Sequence, residues 1–269
     1  RHICMNRSEL SQYIPETYPA GARLFPGLPH EQNQLDHRRT GRQCAGRKNQ
    51  YAGGTELSGH RTQTAQIERN KSMNPIDIMK RPEPYINGHE NAPHEAQDRA
   101  KQLCWEYNRT APNEPEKRRA ILESLLGTCD PLTFIEPDFH CDYGFNIHTH
   151  GLAFFNYNCV ILDTSPVHIG AGAFIAPGVC LACSGHAIDP EQRMNGIGTS
   201  APITLEDGVW IGANTTVIGG VTIGAGSIIG AGSTVTHDIP AGVIAAGSPC
   251  RVIRKITEKD KVDPSKLDF

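Results

Sequence analysis

The chain has 269 residues, 38% of them hydrophobic, and a formal charge of −3 at pH 7. No run approaches the roughly 20 apolar residues that span a bilayer, and the opening residues RHICMNRSEL lack the apolar segment of a secretory signal. Charge is uneven: residues 1–72 carry 11 Lys/Arg against 6 Asp/Glu, residues 73–269 carry 15 against 23, and Arg193 is the one Lys or Arg between Pro131 and Cys250. A nucleic-acid partner selects a basic stripe, so neither nucleic acid nor membrane is an expected partner.

Residues 1–72 are rich in Gln, Arg, Gly and Asn without a period of 2 or 3.6. Such a stretch buries too little to offset its ordering entropy and reads as a disordered leader. Residues 73–129 read as a helical cap. In EAQDRAKQLCWEYN, Ala96, Ala100, Leu103, Cys104 and Tyr107 share one helical face. In NEPEKRRAILESLLG, Asn113 is placed to cap a second helix with Glu116 three residues on, and Ile121, Leu122, Leu125 and Leu126 form its apolar stripe before Gly127.

From residue 130 to 256 the composition turns to Gly, Ala, Val and Ile, and an apolar residue recurs every six positions. Ile169, Ile175 and Leu181 keep one run; Leu205, Ile211, Val217, Ile223, Ile229 and Val235 keep another. Gly or Ala follows at 170, 176, 182, 212, 224 and 230. A period of six belongs to a β-helix, in which each unit is a short strand with one inward side chain and a turn that only a small residue fits. Residues 257–269 read as a polar tail. LACSGHAIDPEQRMNG, residues 181–196, breaks the beat and puts His186 in an excursion, where scaffolds commonly hold functional residues. Asp189, Glu191 and Arg193 read as loop anchors and Cys183 as its packed base. The nine cysteines are scattered; Cys180 and Cys183 have zinc-site spacing but no second pair completes four ligands. They read as reduced thiols of an intracellular, cytoplasmic protein, and no metal is expected.

The stretches VHIGAGAFIAPGVCL and PITLEDGVWIGANTTVIGGVTIGAGSIIGAGSTV resemble the hexapeptide-repeat acyltransferases, and CDYGFNI, FFNYNCVILD and HAIDPEQR resemble their maltose and galactoside O-acetyltransferase branch. The resemblance runs from about Tyr85 to Ile256. It implies an all-β left-handed parallel β-helix with an N-terminal α-helical cap, a homotrimer with sites between subunits, and acetyl-CoA as co-substrate with a sugar acceptor. It implies that His186 is the base for direct acetyl transfer; a free imidazole pKa of about 6.5 suits it to that role. It assigns Asn156, Asp142 and Asn87 to the acceptor. To coenzyme A it assigns the backbone at Ala213 and Ala231, then Thr236, His237, Arg251 and Arg254, with Trp210 as a possible flank. His237 stands where the family has lysine, and Asn87 and Thr164 stand where relatives carry acids. Other readings stay open: an acetyltransferase for a xenobiotic alcohol or an amine, a non-catalytic trimeric scaffold, or a metal site of the gamma-type carbonic anhydrase kind using His148, His150, His168 and His186.

Overall fold

The computed structural model describes residues 73–266; the expected leader lies outside them. Among the described residues no helix is long and apolar enough to cross a membrane.

The cap opens with helix α1 (Pro75–Met79), capped by Asn74, whose side chain accepts from the Ile76 amide at 2.9 Å. Strand β1 (Tyr85–Gly88) follows, then α2 (His94–Arg109) and α3 (Pro115–Leu125). Ala100, Cys104 and Tyr107 of α2 are buried as the sequence pattern requires, while Ala96 and Leu103 stay half-buried at the rim of that face. Asn113 does not cap α3. The residue before the helix is Glu114, no side chain caps it, and Pro115 sets the first turn through its fixed φ. Asn108 fastens α2 to the barrel, donating to the Phe139 carbonyl and accepting from its amide, both at 2.9 Å.

The repeats form a parallel β-helix of six coils with three flat faces. The first face stacks Thr133–Ile135, Ala153–Phe155, Ala173–Ile175, Trp210–Ile211, Ile228–Ile229 and Val243–Ala246. The second holds His140–Cys141, Val160–Leu162, Cys180–Ala182, Thr216–Ile218 and Thr234–Val235, and the third Ile147–Thr149, Val167–Ile169, Ile203–Leu205 and Thr222–Ile223. The chain passes from first to second to third face in each of the first four coils, and the sixth contributes only its first-face strand. Inward residues stack in register, so Ile135, Phe155, Ile175, Ile211, Ile229 and Ala245 form one continuous column of the core.

Corners fix the spacing. At Gly212 an added Cβ would lie 2.5 Å from the Ala231 nitrogen and 2.7 Å from the Ile229 oxygen. Any side chain there would break the ladder to the next coil. Phe155, 1% exposed, fills the core between two smaller layers. Phe155→Ala is expected to cost about 3–5 kcal/mol, read as a lower urea midpoint.

Candidate active site

The break in the repeat is a β-hairpin at the edge between second and third faces. Its strands, β2 (Ser184–His186) and β3 (Ile197–Ser200), pair antiparallel, and α4 (Pro190–Met194) forms the tip. Asp189 caps α4 by accepting from the Gln192 amide at 2.9 Å. Arg193 donates to the Ala187 and Ile188 carbonyls at 2.9 and 3.0 Å. Both residues anchor the loop.

Strand β1 of the cap adds to the free edge of β3, giving a sheet ordered β1–β3–β2. Asn87 pairs with Gly198, and Gly198 with His186. Directly opposed residues share a face, so Asn87 and His186 point the same way. Strand spacing of about 4.8 Å puts their backbones about 10 Å apart, with Gly198 as the floor between them. A Cβ on Gly198 would lie 2.5 Å from Asn87 Oδ1. Its backbone is not left-handed, so the glycine is required by space, and Asn87 Oδ1 occupies the volume a side chain there would take. The His186 ring is exposed and has no hydrogen-bond partner among the described residues.

Tyr85 and Ser200 alternate onto the same face and bolt it to the barrel. The Tyr85 hydroxyl donates to the Thr164 carbonyl at 2.5 Å, and Ser200 Oγ lies 2.6 Å from Thr164 Oγ1 and 2.7 Å from Ser165 Oγ. Thr164 therefore spends its hydroxyl on the hairpin. Asp142 is half-buried one coil away on this edge, and burial raises its pKa against the opposing influence of Gln97 and Lys101. A cavity of about 760 Å³ is lined by Met79, Tyr85, Asn87, Tyr143 and Thr164 among others, and Asp142 is not one of its lining residues. Thr236 and His237 close the same edge further along, with Thr236 Oγ1 2.9 Å from His237 Nδ1.

A second group lines the edge between first and second faces. Asn156, Ala213 and Ala231 follow the first-face strands of three different coils. The neighbouring corner amides are occupied: Tyr157 donates to Asn156 Oδ1 at 2.8 Å, Gly247 donates to Ser233 Oγ at 3.1 Å, and Pro177 has no N–H. The Ala213 and Ala231 amides find no acceptor among the described residues. Both sit at least partly exposed, as donors to a ligand must. Arg251 pairs with Ala246 at the end of this row. Arg254 is engaged elsewhere: its guanidinium holds Asp260 at 2.7 and 2.8 Å, which keeps that carboxyl well below the usual range. Trp210 stands outward on the first face, 52% exposed, between Phe174 and Ile228. One chain thus gathers His186, Asn87, Asp142, Thr236 and His237 on one edge, and Asn156, Ala213, Ala231 and Arg251 on another. The width of the second face separates them.

His148, His168 and His150 stack on the third face, with His150 Nε2 3.1 Å from His168 Nδ1, away from His186. Burial pushes the His148 pKa down to about 4, helped by its two histidine neighbours. No group of three or more His, Cys, Asp or Glu able to hold a metal occurs among the described residues. Cys183 is buried under the hairpin, its thiol pushed up to about 12 by that burial.

Residues 202–237 match the bacterial transferase hexapeptide (six repeats) model, and residues 79–130 the maltose acetyltransferase hexapeptide capping motif. Galactoside O-acetyltransferase of Escherichia coli is 44% identical over 163 residues, 61% of this chain and 80% of that protein. A solved galactoside acetyltransferase in complex with coenzyme A is 44% identical with a TM-score of 0.61, covering 62% of this chain and 84% of its own. A hexapeptide-repeat acetyltransferase of Vibrio cholerae O1 biovar eltor, solved with acetyl coenzyme A, is 31% identical with a TM-score of 0.65, covering 69% of this chain and all of its own. The chain belongs to the hexapeptide-repeat acetyltransferases of the maltose and galactoside O-acetyltransferase family, with their left-handed β-helix.

Sequence reasoning missed the role of β1 as third strand of the hairpin sheet, and with it Gly198. The signal was present in the paired glycines Gly196 and Gly198 and in the alternation of Tyr85 and Asn87.

Asp163 underlies this edge. Its carboxylate accepts from the Tyr143 amide at 2.8 Å and the Asn146 amide at 3.3 Å, and Asn146 reaches the Met79 carbonyl of the cap at 3.2 Å. Burial lifts its pKa from 3.8 to about 7. Below pH of about 4 the acid is neutral folded or unfolded; between about 4 and 7 only the unfolded chain releases the proton, so stability falls as pH rises. The loss is on the order of 4 kcal/mol. Denaturation from about pH 4 to 8 is expected to show this decline in the wild type and a flatter profile in Asp163→Asn; parallel profiles would contradict it.

Proposed function

We propose that the protein is an acetyl-CoA-dependent O-acetyltransferase acting on a sugar hydroxyl, working as a homotrimer with each site assembled from two copies. The observation that carries this reading is the pair of open amides at Ala213 and Ala231, on an edge distinct from the one bearing His186. Acetyl-CoA supplies an activated thioester. The chain has to supply a base, donors where charge develops, and a dock for phosphates.

His186 takes the proton from the acceptor hydroxyl while that oxygen attacks the acyl carbon, so no covalent acetyl-enzyme is needed. The Ala213 amide donates toward the acyl oxygen as negative charge grows there; a fixed donor of this kind loses little to reorganisation. Ala231 and Thr236 hold the pantetheine arm, and Arg251, the cation at the end of the open row, meets phosphate. Arg254 joins it only by sharing or surrendering Asp260. Asn87, Asp142 and Asn156 hold the acceptor, and the Gly198 floor lets its hydroxyl sit between Asn87 and His186. A non-catalytic scaffold has no use for open amides or for a base with no internal partner.

The trimer is supported by the outward column of the first face. Phe134, Phe174 and Trp210 are about half exposed, and the Phe134 and Phe154 rings stack at 5.6 Å. An apolar ladder of this size is what a second copy covers, and closed cyclic symmetry lets unlike edges of neighbouring copies meet. Similarity to galactoside O-acetyltransferase and to the maltose acetyltransferase capping motif supports a sugar acceptor. The seven free cysteines among the described residues support a reducing cytoplasm.

The test is thiol release from acetyl-CoA across mono- and disaccharides, glucosides and amines; stimulation by amines alone would overturn the sugar reading. His186→Ala is expected to lower kcat about 10²- to 10⁴-fold without loss of coenzyme A binding or of the trimer. Gly198→Val is expected to raise the acceptor KM about tenfold or more with the acetyl-CoA KM unchanged.

A further inference from the structure

The contact between Cys104 and Cys141 lies outside the site just described. Cys104 is on the buried face of α2 in the cap and Cys141 ends a second-face strand of the barrel; they are 37 positions apart in sequence. Their sulfurs approach to 3.6 Å, and the side chains are 2% and 8% exposed. Among the described residues this is the one sulfur–sulfur contact, while Cys180 and Cys183, closer in sequence, make none. A disulfide bond is about 2.05 Å long, so closure requires the sulfurs to move together by about 1.5 Å. The two sulfurs share one hydrogen bond in which either can be the donor, and burial weighs against ionisation of both.

We propose that Cys104 and Cys141 form a reversible oxidative modification site, a disulfide that fastens the cap to the β-helix when the protein meets a peroxide. One of the two thiolates attacks a peroxide oxygen, the O–O bond breaks, and water leaves after protonation, giving a sulfenic acid. The other sulfur then attacks the sulfenic sulfur, the S–O bond breaks, and a second water carries off the remaining proton. Two thiols lose two hydrogens, and one hydrogen peroxide is reduced to two waters. A dithiol reductant reverses the change. Cytosolic disulfides of this kind are transient and redox-sensing.

The bond has a local consequence as well as a global one. Asp142 follows Cys141 directly, and the groups on α2 that offset its burial are Gln97 and Lys101. Oxidation pins that helix against the strand leading into Asp142.

The test treats the purified full chain with hydrogen peroxide, blocks free thiols under denaturing conditions and maps peptides by mass spectrometry. The expected result is a Cys104–Cys141 cross-linked peptide, removed by dithiothreitol and absent from Cys104→Ser and Cys141→Ser. The oxidised wild type should melt about 5 °C or more above the reduced form. Peroxidation to sulfinic acid without a cross-link, cross-linking through other cysteines, or both thiols remaining free at peroxide levels that oxidise the urea-unfolded chain would each overturn it. Because the mapping is done on wild-type protein, poor folding of either serine variant leaves the outcome readable.

Discussion

Successive coils of this protein stay in register only because each six-residue unit turns in the space of one small side chain. Gly212 shows the constraint in its sharpest form, with backbone atoms of the next coil inside the volume a Cβ would take. Once the corners are fixed, parallel ladders satisfy the strand backbones, and inward residues such as Ile175, Ile211 and Ile229 stack without choice of register. The edges follow as straight rows. A residue's place in its repeat then decides which edge it occupies, and function is distributed by that address.

The hairpin is the exception that the regular part makes possible. A flat coil cannot direct a side chain far from its own wall, so His186 is carried out on two antiparallel strands and braced by a third from the cap. The brace is polar, through Tyr85, Ser200, Thr164 and Ser165. Such networks hold geometry when every member is satisfied. Thr164 belongs to that brace, which ties the hairpin to the second coil.

Much of this was legible in the sequence because period six has no competing explanation. The faces, the core columns, the buried side of α2 and the anchoring by Asp189 and Arg193 all follow from residue type and spacing. Asn113 failed as a cap because Pro115 starts α3 later and needs no side-chain acceptor. Gly198 was missed although the paired glycines marked the place, because its significance is a space left between Asn87 and His186, and chain order alone does not show which strands meet across it. The pairing of Arg254 with Asp260 was hidden for a similar reason: the acid lies in the tail, where no pattern singled it out.

The central claim is that the proposed site joins the His186 edge of one copy to the Asn156 edge of another. Subunit complementation tests it most directly. His186→Ala and Asn156→Ala chains, each impaired alone, are unfolded, mixed in equal amounts and refolded together. If sites form between copies, the randomly reassembled mixture as a whole recovers about a quarter of wild-type activity, the share of all its interfaces that unite two intact edges. If the mixture is no more active than the average of the two parents, each site lies within one chain and the account is wrong.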